Sequence, residues 1–517
     1  MKFKPLYLIL FLSSVFILQT ALFTLRIPLD SDKTSNYLLV NDYSFLDKHY
    51  MPSDNFILKA PIFKLAMMLF SITPQAAFWS NMFFNMLLII FFLIFYIHIY
   101  KKIAKNNHKG LIFFLPLIFF VLNTPLFFRF LSNSILRNFE FGIVCLFLIM
   151  INVYEEKIPV FLTKNKYVFS FILSFFVGFF LFNDPYFVFA FMAPLIYFLF
   201  LYWLLFKKPS YIYWGTVCMA SLFFYFAIKT LMYKVGIFTV FDKIEFSSFT
   251  EMVSRAVEIW GNTFRFLNAN FFDHKSFGLP MIVSFFRFLL LVIFLFPVYI
   301  FTQKKLLQKN PLLIFIVCIP LINIGIYIFS TLSSDLTSAR YLMLVPIFMT
   351  VNSLLFLFII RKNKKTFLFI TLCIILGCVA NIYQNVEYLK QFPKPNTSNY
   401  RLISLLQKKG LTKGYANYWF APINTFLSGN QIKMRQVVCS HNKIIPYRWL
   451  INTKWFIPEY KKSFFHIEQN KNLSPKIISA SCNLADLEKQ FGPPEEKVII
   501  DEKSFILIYP YDVGGNM

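Results

Sequence analysis

YVFSFILSFFVGFFLFNDPYFVFAFMAPLIYFLFLYWLLF, residues 167–206, is a 40-residue run in which Asp184 is the only charged side chain. A helix needs roughly 20 apolar residues to cross the hydrocarbon of a bilayer, so this run is long enough for two. Asn183-Asp184-Pro185 marks where one crossing ends and the next begins, because proline has no N–H to donate and a carboxylate is expensive in lipid. Lys164 and Lys166 precede the run and Lys207 and Lys208 follow it, which puts its two ends on one side of the membrane and Asp184 at a tight tip on the other.

The rest of the chain repeats this pattern. Of 517 residues, 57% are apolar and only 15% are charged, and Phe alone accounts for 71. Such a surface cannot be solvated, which excludes a soluble globular enzyme; a disordered chain is excluded for the same reason, and a disulfide-dense scaffold by seven Cys in so long a sequence. The net charge of +26 does not point to nucleic acid, since the basic residues punctuate apolar runs and gather on no solvated face.

Eleven apolar runs are legible, at 5–25, 76–100, 110–128, 139–154, 167–183, 186–206, 211–232, 279–302, 311–331, 341–360 and 366–384. With the N-terminus inside, the inner segments hold eighteen Lys and Arg, among them Lys101, Lys102, Lys304, Lys305 and Arg361, against two acids, Glu155 and Glu156. The expected fold is an all-α polytopic membrane domain of about eleven transmembrane helices, residues 1–384, carrying outer loops 26–75 and 233–278. A small extracytoplasmic α/β domain, 385–517, follows it. The first run is read as a retained helix and not as a cleaved signal peptide. In the tail, 400–409 reads as an amphipathic helix closed by Gly410, and 431–438 and 497–509 read as strands. Cys439 and Cys482 are expected to form a disulfide if the far side is oxidising, the alternative being two buried thiols.

Ionisable groups at membrane depth carry the functional reading. The first outer loop opens Ile27-Pro28-Leu29-Asp30-Ser31-Asp32-Lys33, which fixes two carboxylates just beyond the first helix. Such a pair can hold a divalent cation, Mg or Mn, or one carboxylate can act as general base; the bland reading is a solvated turn. Residues 56–72 alternate apolar side chains and Lys as an interfacial helix does. Asp184 emerges on the same face, as a second acidic point or a plain helix break. Arg340-Tyr341 opens a late helix at headgroup depth, where a guanidinium donates two parallel hydrogen bonds to a phosphate. Arg287, two turns into a span, requires an anion or an internal carboxylate. Tyr415 to Phe420 and Pro446 to Trp449 combine aromatic faces with polar edges, suited to sugar rings or to a small core. No nucleotide-phosphate loop and no histidine metal cluster is present, so energy for group transfer has to come from a lipid-linked substrate.

With Asp30-Ser31-Asp32 after the first helix, Ala60-Pro61-Ile62-Phe63, the Asn-rich Ser80-Asn81-Met82-Phe83-Phe84-Asn85 and Arg340-Tyr341, the layout resembles the GT-C-type membrane glycosyltransferases. The resemblance implies transfer of a sugar, a hexose, from a polyprenyl-phosphate carrier to a lipid-linked or polymeric envelope glycan such as O-antigen, on the outer face of the inner membrane. It implies Asp30 or Asp32 as base or metal ligand and Arg340, with Tyr341 and Arg287, against the carrier phosphate; a small partner that flips the carrier is compatible with it. Lys33 stands where a further acid would strengthen a metal site. The competing classes are a transporter or flippase of lipid-linked glycans, and an envelope polymerase or ligase.

Overall fold

The computed structural model describes residues 5–44, 47–52, 56–104, 121–132, 142–150, 166–206, 210–240, 245–273, 277–294, 312–331, 342, 344, 345, 348, 350, 363–392, 394–459, 461–468, 484–502 and 504–517. The chain divides into two units, one comprising Met1–Leu25, Asn81–Ile228 and Asp242–Pro393, the other Arg26–Ser80, Lys229–Phe241 and Lys394–Met517.

In the first unit the long apolar run breaks where proline and carboxylate fall. One helix spans Lys166–Asn183, a single π-helical turn spans Val188–Met192, and a second helix spans Ala193–Phe206. The Asp184 carboxylate accepts the Tyr186 N–H at 3.0 Å, so the fully buried acid satisfies the backbone of the break it causes. Phe147 packs against Phe180, Phe187 and Phe191 at 5.2 to 6.0 Å between ring centroids, and the Tyr186 hydroxyl donates to Asn323 at 2.7 Å. Phenylalanine here builds an interior as much as an exposed face.

That double use overturns the eleven-span all-α reading. Among the described residues three helices are long and apolar enough to cross a membrane, Pro74–Ile99, Trp214–Lys234 and Lys364–Lys390; a fourth is reached only if Leu10–Arg26 and Ser31–Asn41, bent by 85°, are counted as one span. Ser170–Asn183, Val188–Leu201, Pro280–Leu289 and Cys318–Phe329 are apolar but short. The runs at 110–128 and 341–360 lie largely, and that at 139–154 partly, outside the described residues. Two β-sheets also stand against an all-α domain, and one of them uses both outer loops.

The second unit contains strands β1 (His49–Pro52), β2 (Ile237–Val240), β3 (Lys413–Ala416), β4 (Lys433–Ser440), β5 (Lys443–Pro446), β6 (Ile451–Asn452), β7 (Ser463–Glu468), β8 (Glu496–Asp501) and β9 (Ser504–Tyr509). A small sheet runs β2-β1-β6, with β1 parallel to β2 and antiparallel to β6. The larger sheet runs β5-β4-β3-β7-β9-β8; β3 is parallel to both β4 and β7, and the outer pairs are antiparallel.

Every residue of β9 is buried because both faces of the sheet are covered. Ile506 and Ile508 join Leu402, Ile403 and Leu406 of the Thr397–Lys408 helix on one face, while Leu507 and Tyr509 join Leu487 and Phe491 of the Leu484–Phe491 helix on the other. Gly410, at φ +66°, ends the first of these helices in the left-handed conformation glycine adopts without strain. Gly414 in β3 leaves room for the Phe464 ring, which a Cβ would overlap.

Residues 26–80 belong to this unit through packing. The Ser31–Asn41 helix lies against the Phe56–Phe70 and Ala421–Leu427 helices, with Tyr37 between Phe63 and Phe426 at 4.8 and 5.2 Å. The Phe56–Phe70 helix buries Phe56, Lys59 and Phe63 and exposes Leu65, Met68 and Leu69.

Candidate functional site

The head of the Ser31–Asn41 helix gathers the polar chemistry of the second unit. Asp30 is its N-cap: the extended backbone aims the carboxylate at the Lys33 N–H, 2.8 Å away, and its carbonyl accepts from Thr34. Asp32 occupies the first turn, where the helix dipole favours a negative charge. Leu29 N–H donates to Asn396 at 3.3 Å, which ties the approach to the helix to the start of the 394–517 segment. Both carboxylates are half-buried, so a polar ligand can reach them. Lys33, fully buried, is pulled down to about 8 by loss of hydration, which the Asp30 charge only partly offsets.

The partner of Asp32 arrives 386 residues later. β3 ends at Ala416, and Asn417 folds the next residues into a turn by accepting the Phe420 N–H at 3.2 Å, before Pro422 in the first turn of the Ala421–Leu427 helix. That turn delivers the Tyr418 hydroxyl to Asp32, to which it donates. Burial first, then the Asp32 charge, push Tyr418 well above the usual phenol range, so it stays a donor at neutral pH. Its ring meets Trp419 at 5.2 Å and Tyr447 at 5.8 Å; Tyr418 is buried and Trp419 exposed. Just beyond, Phe420 stacks on His466 of β7 at 4.9 Å, and burial lowers His466 to about 4. The cluster sits at the carboxyl ends of parallel strands β3 and β7, the edge where open α/β sheets bind ligands.

The other end of the same helix is tied differently. Asp42 accepts Trp455 Nε1–H at 2.7 Å, and the Arg435 guanidinium lies 4.5 Å over the Trp455 ring and 3.9 Å from Asp42. Asp47 pairs with Lys454 at 2.6 Å and accepts from Asn452 at 3.2 Å; the Lys454 contact holds its carboxyl below the usual range. These bonds tie Asp42 and Asp47 to Arg435, Asn452, Lys454 and Trp455 of the α/β elements.

The remaining expected site residues fall elsewhere. Asp184 caps its own helix break in the first unit. Arg287, fully buried in that unit, donates to the carbonyls of Leu267 and of Val121, the latter at 3.2 Å, and borders an apolar cavity of roughly 600 Å³ lined by Phe286, Phe369, Leu376 and Tyr383. Arg340 and Tyr341 lie outside the described residues. Among the described residues no group of three or more His, Cys, Asp or Glu could hold a metal ion. Cys439 is disulfide-bonded, the other five described cysteines are free, and Cys482 lies outside the described residues. Of the aromatic segments, Tyr415 is core, while Tyr418 reaches Asp32 and carries Trp419 and Tyr447 against its ring. His466 and the Asp42–Trp455–Arg435 set were not legible: none of them sits in a motif, and each meets its partners only through contacts between elements far apart in the chain, β7 with β3 for His466 and β6 with β1 beside Trp455 and Asp42. No protein-family model, no curated protein and no solved structure matches the chain.

Proposed function

We propose that the chain is a membrane glycosyltransferase that moves a sugar from a polyprenyl-phosphate carrier to a lipid-linked or polymeric envelope glycan, with the Asp30–Asp32 site on the outer face of the inner membrane. The observation that carries this reading is the hydrogen bond from Tyr418 to Asp32, with Trp419 and Tyr447 packed around the Tyr418 ring. A carboxylate beside aromatic faces suits a sugar, whose C–H face stacks on a ring while its hydroxyls meet an acid.

Asp32 serves as general base. Its carboxylate takes the proton of the acceptor hydroxyl as that oxygen bonds to the anomeric carbon, and the bond from that carbon to the carrier phosphate breaks with its electron pair going to the phosphate. Phosphate leaves readily, so holding the acceptor in line and removing its proton supplies most of what is needed. Asp30, committed to the helix N-terminus, starts the helix whose first turn carries Asp32.

The test is mass analysis of envelope glycans from cells lacking the protein and complemented with wild type, Asp32→Asn or Asp30→Asn at equal expression. The expected result is loss of one sugar unit in the deletion and in Asp32→Asn, restored by wild type. Full glycosylation with both variants overturns the reading. Unmodified glycan that accumulates on the inner face marks a flippase instead.

A further inference from the structure

The Phe249–Phe266 helix of the first unit has three faces of different chemistry. One is turned into the protein and is notably polar: buried Arg255 donates to Ser247 and to the Ser330 carbonyl, and buried Asn262 donates to Tyr327 at 3.0 Å, with Ile259, Thr263 and Phe266 beside them. The second carries Thr250, Ser254, Glu258, Gly261 and Arg265, all exposed. The third is apolar and equally exposed: Phe249, Val253 and Val257 follow one another at i, i+4 and i+8, at 81%, 52% and 71% of their full accessibility. Phe246 just before the helix and Phe272 and Phe277 just after it are exposed too.

A helix at a water-exposed protein surface turns its apolar stripe inward and its polar residues outward. Here the most apolar stripe points away from the protein while an arginine and an asparagine point into it. That inversion specifies the medium the stripe meets. A second protein surface would cover the whole outward arc, yet the polar third of the helix, with Glu258 and Arg265, requires water alongside the apolar third. Only a boundary between hydrocarbon and water offers both along one helix, and the same unit contains helices of membrane-crossing length.

We propose that the Phe249–Phe266 helix lies in the plane of the membrane interface, with Phe249, Val253 and Val257 immersed among lipid acyl chains, Ser254 and Glu258 in water, and Arg255 anchoring the helix to the protein. The capping box formed by Ser248 and Glu251 stops the helix where Phe246 enters the same layer. This inference is independent of glycosyl transfer.

Nitroxide spin labels placed singly at Val253→Cys, Val257→Cys, Ser254→Cys and Glu258→Cys test it, in full-length protein with Cys373 and Cys378 replaced by Ala. The protein is held in nanodiscs of phosphatidylcholine and phosphatidylglycerol. Relaxation by oxygen, which partitions into acyl chains, is expected to dominate at 253 and 257, and relaxation by a water-soluble nickel chelate at 254 and 258. Nickel access at 253 and 257 equal to that at 258 overturns the proposal and places the stripe in water. Exclusion of both reagents from 253 and 257 also overturns it and marks a protein partner or a second copy. A label that disrupts folding is recognised by loss of the size-exclusion peak, and Val253→Ala, labelled at 257 alone, then supplies the same reading.

Discussion

Two helices, Ser31–Asn41 of 11 residues and Phe249–Phe266 of 18, invert each other. Ser31–Asn41 is polar in sequence, yet it buries Ser31, Lys33, Thr34, Ser35 and Asn36 as completely as Tyr37 and Leu38. Phe249–Phe266 has a clear apolar stripe and exposes it. Hydropathy ranks the first as a surface segment and the second as a core segment, and the structure reverses both. What decides is the neighbour: the first helix is roofed by the Ala421–Leu427 helix, with Tyr37 packed on Phe426, and the second, in the interfacial placement proposed above, faces a medium in which apolar side chains need no cover.

Removing the acid of the buried helix gives the largest expected effect. Asp32→Asn is expected to lower sugar transfer by about two to four orders of magnitude at unchanged expression, read by the glycan mass profile. A fall in expression matching the fall in transfer would instead make Asp32 a structural residue and weaken the contrast with the exposed helix.

Gly414→Val tests the sheet from which that roof runs on. The new side chain meets Phe464, and overpacking of this kind costs about 1–3 kcal/mol, so thermal melting of the α/β unit should fall by several degrees. On the other helix, Arg255→Met leaves the Ser330 carbonyl and Ser247 without their donor and should cost about 1–3 kcal/mol, read by detergent-phase melting. Indifference to this change would mean that the polar inward face is incidental.

The α/β unit also carries a pH signature. His466 has a folded value of about 4, below its free value, so it is buried neutral. Its contribution is fully present above about pH 6.5 and is lost as pH falls toward 4, because only the unfolded chain binds the proton in that window. His466→Phe should flatten the stability profile between those pH values, removing a slope worth on the order of 3 kcal/mol. The smallest effect is expected at the capping box of the exposed helix, where Ser248→Ala should cost about 1 kcal/mol of local stability, read as faster amide exchange over 249–253.

The legible parts of the chain were those with local chemical causes. Asn183-Asp184-Pro185 breaks the helix as proline and carboxylate require, and the amphipathic segment closed by Gly410 became Thr397–Lys408. Asp30 and Asp32 were picked out because they follow an apolar run abruptly. The number of spans was misread because a Phe-rich helix looks the same whether its rings meet lipid or, as Phe180 and Phe187 do, one another. Tyr418 stood in a recognisable aromatic cluster, but its meeting with Asp32 depends on β3, β4 and β7 pairing in parallel across the tail, and on Tyr37 wedging between Phe63 and Phe426. Parallel pairing leaves no turn sequence behind it.

The 386-residue gap between Asp32 and Tyr418 has a temporal meaning. At roughly 5–20 residues per second a ribosome needs some tens of seconds to go from one to the other. Throughout that interval the acid has no phenol beside it and the helix behind it has no roof. An incompletely synthesised chain therefore lacks the assembled centre, and the order of translation withholds activity until the far partner has been made.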